Sequence, residues 1–227
     1  LNLGGGDEGS GTVSGRALQL IALLTVLSLA PSILVMMTSF VRIVVVLSFL
    51  RSAIGLQQTP PNSVMISLAL FLSLFIMSPV LEKSYTDGIR PYMNEEIDEQ
   101  AAFTKSTDPF KQFMLSNARP QDIDLFMQAA RIDRPKEAMA TPLQVVIPAF
   151  MISELKRAFE IGFMLFLPFL IIDMVTASIL MSMGMMMLPP VAISLPFKII
   201  FFAMVDGWHL VAGSLIQSFN VPGITGG

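Results

Sequence analysis

The chain has 0 cysteines, 1 histidine and 1 tryptophan in 227 residues, and only 14% of its residues are charged. Without cysteine there is no disulfide, no thiolate nucleophile and no thiolate-bound metal. The redox compartment is therefore not legible from cysteine usage. His209 stands alone, so a metal site built on several imidazoles has nothing to draw on. Soluble domains carry roughly 25% charged residues, and this chain falls well short. It also lacks a basic surplus: its net charge is −3 and its pI about 5.1, which argues against a nucleic-acid partner. With 53% hydrophobic residues, 17 Met and 17 Phe, it is neither disordered nor collagen-like. The mean hydropathy of +0.69 argues against a water-soluble enzyme.

What is present is hydrophobic sequence in blocks. No charge occurs from Ala17 to Val41 or from Val64 to Leu81. About 20 apolar residues span a bilayer's hydrocarbon core as a helix, so both runs predict spanning helices. Residues 147–182 and 191–219 are two further apolar stretches with a few embedded charges, giving four hydrophobic helices. The reading is all-α: a flexible Gly-rich tail at 1–15, a first hydrophobic hairpin at 16–82, a polar helical subdomain at 83–145, a second hairpin at 146–220, and a tail at 221–227.

The polar block holds 8 of the 14 basic and 10 of the 17 acidic residues. Asp108-Pro109 predicts a helix start with Pro in the first turn, and Arg119-Pro120 opens a second short amphipathic helix. Phe110, Phe113, Leu125 and Phe126 are the expected buried anchors. The chain begins at Leu, which fits either trimming or a removed signal peptide; the latter would put this end outside the cytoplasm. The expected topology has both termini and 83–145 outside, with the loops near 51–63 and 183–190 cytoplasmic.

Charges within apolar helices demand partners, because charge facing lipid costs several kcal/mol. Glu154, Lys156, Arg157 and Glu160 follow Pro148, with Glu154/Arg157 and Lys156/Glu160 at helical spacing. They are either solvated in the first turns or directed at a protein interior. Arg42, Asp173, Lys198 and Asp206 each sit in apolar sequence. Glu154 or Asp173 could serve Lys198, and the expected pair is Glu154–Lys198, within or between protomers.

The stretch Met181-Ser-Met-Gly-Met-Met-Met-Leu-Pro-Pro190 holds 5 of the 17 Met. Gly184 and the Pro189-Pro190 pair predict a hairpin break. Met commonly fills gaps in cores. At a turn, successive long, unbranched thioethers suit a deformable apolar constriction.

No reaction chemistry emerges. No nucleophile, base and orienting group fall near one another, Gly4-Gly5-Gly6 opens no phosphate-binding unit, and no cofactor is implied. His209 follows Asp206-Gly207-Trp208 and reads as a packing residue rather than a proton relay. A small secondary transporter, coupled through Asp173, Lys198 and Asp206, is the alternative function, although no internal repeat supports it.

Three stretches together carry a resemblance: Ile147-Pro-Ala-Phe-Met-Ile-Ser-Glu-Leu-Lys-Arg-Ala-Phe-Glu-Ile-Gly-Phe163, Leu167-Pro-Phe-Leu-Ile-Ile-Asp-Met-Val175, and Leu195-Pro-Phe-Lys-Ile199 closing at Val205-Asp-Gly-Trp208. They resemble the FliP family of flagellar biosynthetic proteins, whose relatives serve in injectisomes. The resemblance implies a non-enzymatic channel subunit of the type III protein export gate in the bacterial inner membrane, at the flagellar basal body. It implies five copies assembling with the FliQ and FliR families into a helical cone of kinked hairpins, projecting toward the periplasm. Other export-apparatus proteins and unfolded protein substrates would be its further partners. It also assigns Met185, Met186 and Met187 as the gasket that seals the channel, and Glu154 and Lys198 as packing charges.

Overall fold

The computed structural model describes residues 35–185 and 187–221, together with Leu20, Ile21, Leu24, Thr25, Ser28 and Ser32, which are helical. The expected tail at 1–15, residues 222–227 of the expected tail at 221–227, and Met186 lie outside the described residues, as do 12 of the 25 residues of the first apolar run. Among the described residues the fold is all-α, with no strand. From Phe40 onward the elements are α1 (Phe40–Ile54), α2 (Asn62–Ser84), a π-helical turn (Tyr85–Ile89), α3 (Arg90–Met93), α4 (Glu99–Asn117), α5 (Pro120–Ala130), α6 (Leu143–Ser182), α7 (Pro190–Met204) and α8 (Gly207–Gln217).

Helix α1 is the centre of the fold. Its buried residues Ile43, Val46, Leu47, Leu50, Ala53 and Ile54 repeat at three- and four-residue spacing, the stripe of a helix with a covered face. At 15 residues it is about 22 Å long, too short to cross a bilayer. Gly55 ends it in the left-handed region at φ 90°, where its N–H reaches Ser52 O and that of Leu56 reaches Arg51 O. The helix begins only after a turn at Met37–Ser39. Ala17–Val41 is therefore not one uninterrupted helix, and Arg42 belongs to the shorter helix that follows.

Helix α2 buries Met65, Ala69, Ser73, Ile76, Met77 and Val80, while Phe71 and Phe75 on its other side are exposed. A helix apolar all round needs lipid or protein on every face. The stretch Asn62–Met93 is long and apolar enough to cross a membrane, as is Leu143–Ser182. The last apolar stretch is two helices, α7 and α8, bent by 63°. The sequence predicts four hydrophobic helices. Among the described residues two are long enough to cross a membrane, with a third if the bent pair counts as one.

Helix α6 has 40 residues, about 60 Å, or roughly twice the hydrocarbon thickness. Its first half, through Gly162, packs on α1, α4 and α5. Its second half is largely uncovered and leans on α7 through Phe169, whose ring meets Phe201 and Phe202.

The polar segment packs into the core through α4, with Phe110 and Phe113 buried as expected. Phe110, Phe113 and Met114 of α4 are buried with α1, α2 and α6. Gly88, in the π-turn, allows this approach: a Cβ there would sit 2.6 Å from Ser106 N and 2.9 Å from Ser106 Cα. Ser84 Oγ donates to Ser106 O at 2.7 Å across the same contact.

Two local expectations are corrected here. Asp108-Pro109 does not start a helix; α4 begins ten residues earlier at Asp98, whose carboxylate accepts the Ala101 N–H at 3.2 Å. Pro109 lies inside that helix and is buried beside Phe110. The lost backbone hydrogen bond is offset by the apolar face that continues through it. Leu125 is not an anchor, being 55% exposed. The α5 helix turns Met127 inward instead, with Ile123 and Phe126 half-buried. The start of α5 at Pro120 is as the sequence predicts.

Candidate functional site: the Met-rich turn and the charges behind it

The turn between α6 and α7 is built from its punctuation. Met183 caps α6, and Gly184 adopts φ 74°, which an L side chain resists. Gly184 N–H donates to Met181 O at 3.1 Å and Met185 N–H to Leu180 O at 3.0 Å, the paired bonds that stop a helix at a left-handed residue. Pro190 then sits in the first turn of α7, where its missing N–H costs nothing. The side chain of Met187 is 98% exposed and that of Met185 44%. The hairpin therefore carries apolar thioethers at its tip, uncovered by the described chain.

Lys198 holds the hairpin together. Its Nζ donates to Asp173 Oδ2 of α6 at 2.6 Å and to Ala53 O at 3.2 Å. Ala53 O lies in the last turn of α1, where carbonyls lack helical partners and the helix dipole favours a cation. Ser194 Oγ donates to the other Asp173 oxygen. One ammonium thus joins three helices.

Glu154 pairs elsewhere. Arg42 Nε donates to Glu154 Oε2 at 2.8 Å and Nη2 to Oε1, with both side chains fully buried. Arg42 Nη1 donates to Ser218 O at 2.7 Å and Ser218 Oγ at 2.9 Å, and the guanidinium lies 3.7 Å from the centre of the Phe219 ring. The predicted Glu154–Lys198 pair is therefore not the one formed in the chain. Glu154 lies on the α1-facing side of the first half of α6, opposite Arg42, whereas Lys198 reaches the second half at Asp173. Arg157 is half-buried within electrostatic reach of the Arg42–Glu154 pair. Lys156 and Glu160 pair at 3.4 Å on the exposed side of α6. Asp206 is exposed at the α7–α8 bend with φ 50°, and among the described residues no ion pair joins it to Lys198. His209 is exposed too, so it is no packing residue within the chain.

Three polar residues were missed in the sequence. Asp122 accepts from Arg119 Nε and Nη2, both at 2.8 Å, and from Ser153 Oγ, fixing α5 on α6. Asn117 accepts the Asn220 N–H at 3.1 Å and donates to Asn220 O at 2.9 Å. A lone polar residue gives no signal of burial in sequence; only the position of Asn117 and Arg119 at the junction of α4 and α5 hints at contacts.

Lys198→Ala is expected to loosen the hairpin more than Lys198→Arg, which can still reach a carboxylate. The loss should be smaller than for a fully buried pair, because Asp173 is 35% exposed and water can replace its partner. The recovery of assembled complex for both variants measures it; equal recovery of the alanine variant and wild type would refute the role.

The arrangement defines a class: a helical membrane protein with a short buried central helix, long apolar helices wider than their own chain covers, and an apolar turn in place of a reaction centre. The particular assignment comes from its relatives. The chain matches the FliP family over residues 23–215 and belongs to that family. It is 60% identical to the flagellar biosynthetic protein FliP of Caulobacter vibrioides over 220 residues, 97% of this chain and 81% of that protein. The Bacillus subtilis FliP is 55% identical over 201 residues, 88% of this chain and 91% of that protein. The Aquifex aeolicus FliP is 52% identical over 206 residues, 90% and 86% of the two chains. The chain is accordingly a non-enzymatic flagellar biosynthetic protein, a membrane component of the flagellar export apparatus.

Proposed function

We propose that this chain is a channel subunit of the flagellar type III export gate, passing unfolded flagellar proteins across the inner membrane. Five copies would assemble with FliQ- and FliR-family subunits into a helical cone projecting to the periplasmic side. Met185, Met186 and Met187 would seal the closed channel. The observation that carries this reading is the turn itself. Gly184 stops α6 and Pro190 opens α7, leaving Met187 fully outside the packing of its own chain. A ring of such turns would present several apolar, flexible side chains at one constriction. A hydrophobic constriction resists wetting by ions, and unbranched thioethers can mould around a passing polypeptide. The uncovered faces of α2, α6 and α7 support the assembly, since patches of this extent mark protein or membrane contacts.

Replacing Met185, Met186 and Met187 together with Ala is expected to leave assembly intact and raise ion leakage across liposomes holding the purified complex. An assembled mutant complex as tight as wild type would make these methionines ordinary turn residues.

A further inference from the structure

We infer that the Met-rich turn is a site of sulfoxidation by peroxides, and that the sulfoxide opens the seal; the second half rests on the sealing function proposed above. The chain has 17 Met and 0 Cys, so thioethers are the only sulfur a two-electron oxidant can meet. Susceptibility follows exposure, and the methionines differ widely in it. Met65, Met77, Met114 and Met127 are buried in the core, whereas Met183, Met185 and Met187 are uncovered on one turn.

Exposure in the single chain is not enough, because Met93 and Met204 at the ends of α3 and α7, and Met164 and Met174 along α6, are also uncovered. Met164 and Met174 lie on a regular, apolar helix face that lipid or a neighbouring subunit can cover, while Met93, in the polar segment, is an exposed methionine remote from the turn. The turn is different. A ring of such turns sealing a channel, as proposed above, has the aqueous lumen on at least one side of it. A small, neutral, water-borne peroxide reaches the turn by that aqueous side.

In the reaction a sulfur lone pair attacks one peroxide oxygen. The S–O bond forms as the O–O bond breaks, and the departing hydroxide takes the proton from the oxygen now on sulfur, leaving as water and completing the sulfoxide. Sulfur loses two electrons and the peroxide gains them. The product carries a strong hydrogen-bond acceptor where the thioether had almost none. A constriction that excludes ions by staying dry would then wet. Reversal needs an external enzyme of the methionine sulfoxide reductase class with a thiol reductant, which returns the thioether, water and a disulfide; the chain itself has no thiol to supply.

The test uses the assembled complex in liposomes, with hydrogen peroxide as oxidant, peptide mass spectrometry for site occupancy and ion conductance as readout. Met185 and Met187 are expected to oxidise at least about tenfold faster than Met77 and Met114. Conductance should rise with their oxidation and fall again after reductase and dithiothreitol. A variant with Met185, Met186 and Met187 all changed to Leu keeps apolar bulk without sulfur and should stay tight in peroxide. Oxidation of the turn no faster than of the core would overturn the inference. So would full oxidation without added conductance, or equal leakage from the leucine variant. The sealing function is judged separately, by the alanine variant without peroxide. An alanine variant that leaks beside an oxidised wild type that does not would sink the inference alone.

Discussion

Arg42→Met is expected to cost the folded subunit about 3–5 kcal/mol, because it strands the Glu154 carboxylate in a dry interior. The total stability of a domain is only about 5–15 kcal/mol, so most of the subunit should fail to accumulate. The loss has identifiable parts. Both carboxylate oxygens of Glu154 receive Arg42 donors, and the remaining Arg42 nitrogen reaches Ser218 O and Oγ. The expected signature is a rescue. Arg42→Met combined with Glu154→Leu removes both charges and should recover much of the stability, since buried pairs replaced by apolar residues are often neutral or better. Thermal unfolding of the detergent-solubilised single and double variants completes the cycle. A single variant as stable as wild type, or a double variant as poor as the single, would refute this account of the pair.

Phe219→Ala is expected to cost a similar amount, about 3–5 kcal/mol for a buried aromatic truncated to Ala. Its ring is 1% exposed, stacks on Phe113 at 6.2 Å between ring centres, and carries the Arg42 guanidinium on its face. Phe113 in turn meets Phe150 edge-on at 5.8 Å. The segment after α8 is thus clamped between α1, α4 and α6, with Asn117 bracketing Asn220 on both of its backbone groups. Truncating the ring leaves a cavity and uncovers Arg42, so the segment should become open to protease. Phe219→Leu keeps most of the volume and should be milder. Limited proteolysis beside thermal unfolding would decide, and an alanine variant with unchanged protease resistance would mean that the segment bears no weight. Because Phe219 and Arg42 touch, their losses should not add.

The sequence by itself determined the class of this protein and most of its punctuation. Charge-free runs of bilayer length are a local property, and so are the helix stop at Gly184 and the helix starts at Pro190 and Pro120. Each depends on the backbone freedom or the missing donor of one residue, which no distant contact needs to supply. The family motifs between Ile147 and Trp208 were legible for the same reason, as residues in fixed order. Partner choice was not. Sequence could say that Arg42, Glu154, Asp173 and Lys198 each needed an opposite charge, but not which. Arg42 and Glu154 are 112 residues apart and Asp173 and Lys198 are 25 apart, and both pairings follow from where α1 and α7 cross a 40-residue helix. The burial of Pro109 inside α4 and the outward turn of Leu125 were likewise tertiary decisions. The first followed from a helix already capped at Asp98 and the second from the rotation at which α5 docks through Asp122 and Ser153. Helix existence is paid for locally, whereas register, rotation and crossing are set by what else must pack, and those decided which charges met.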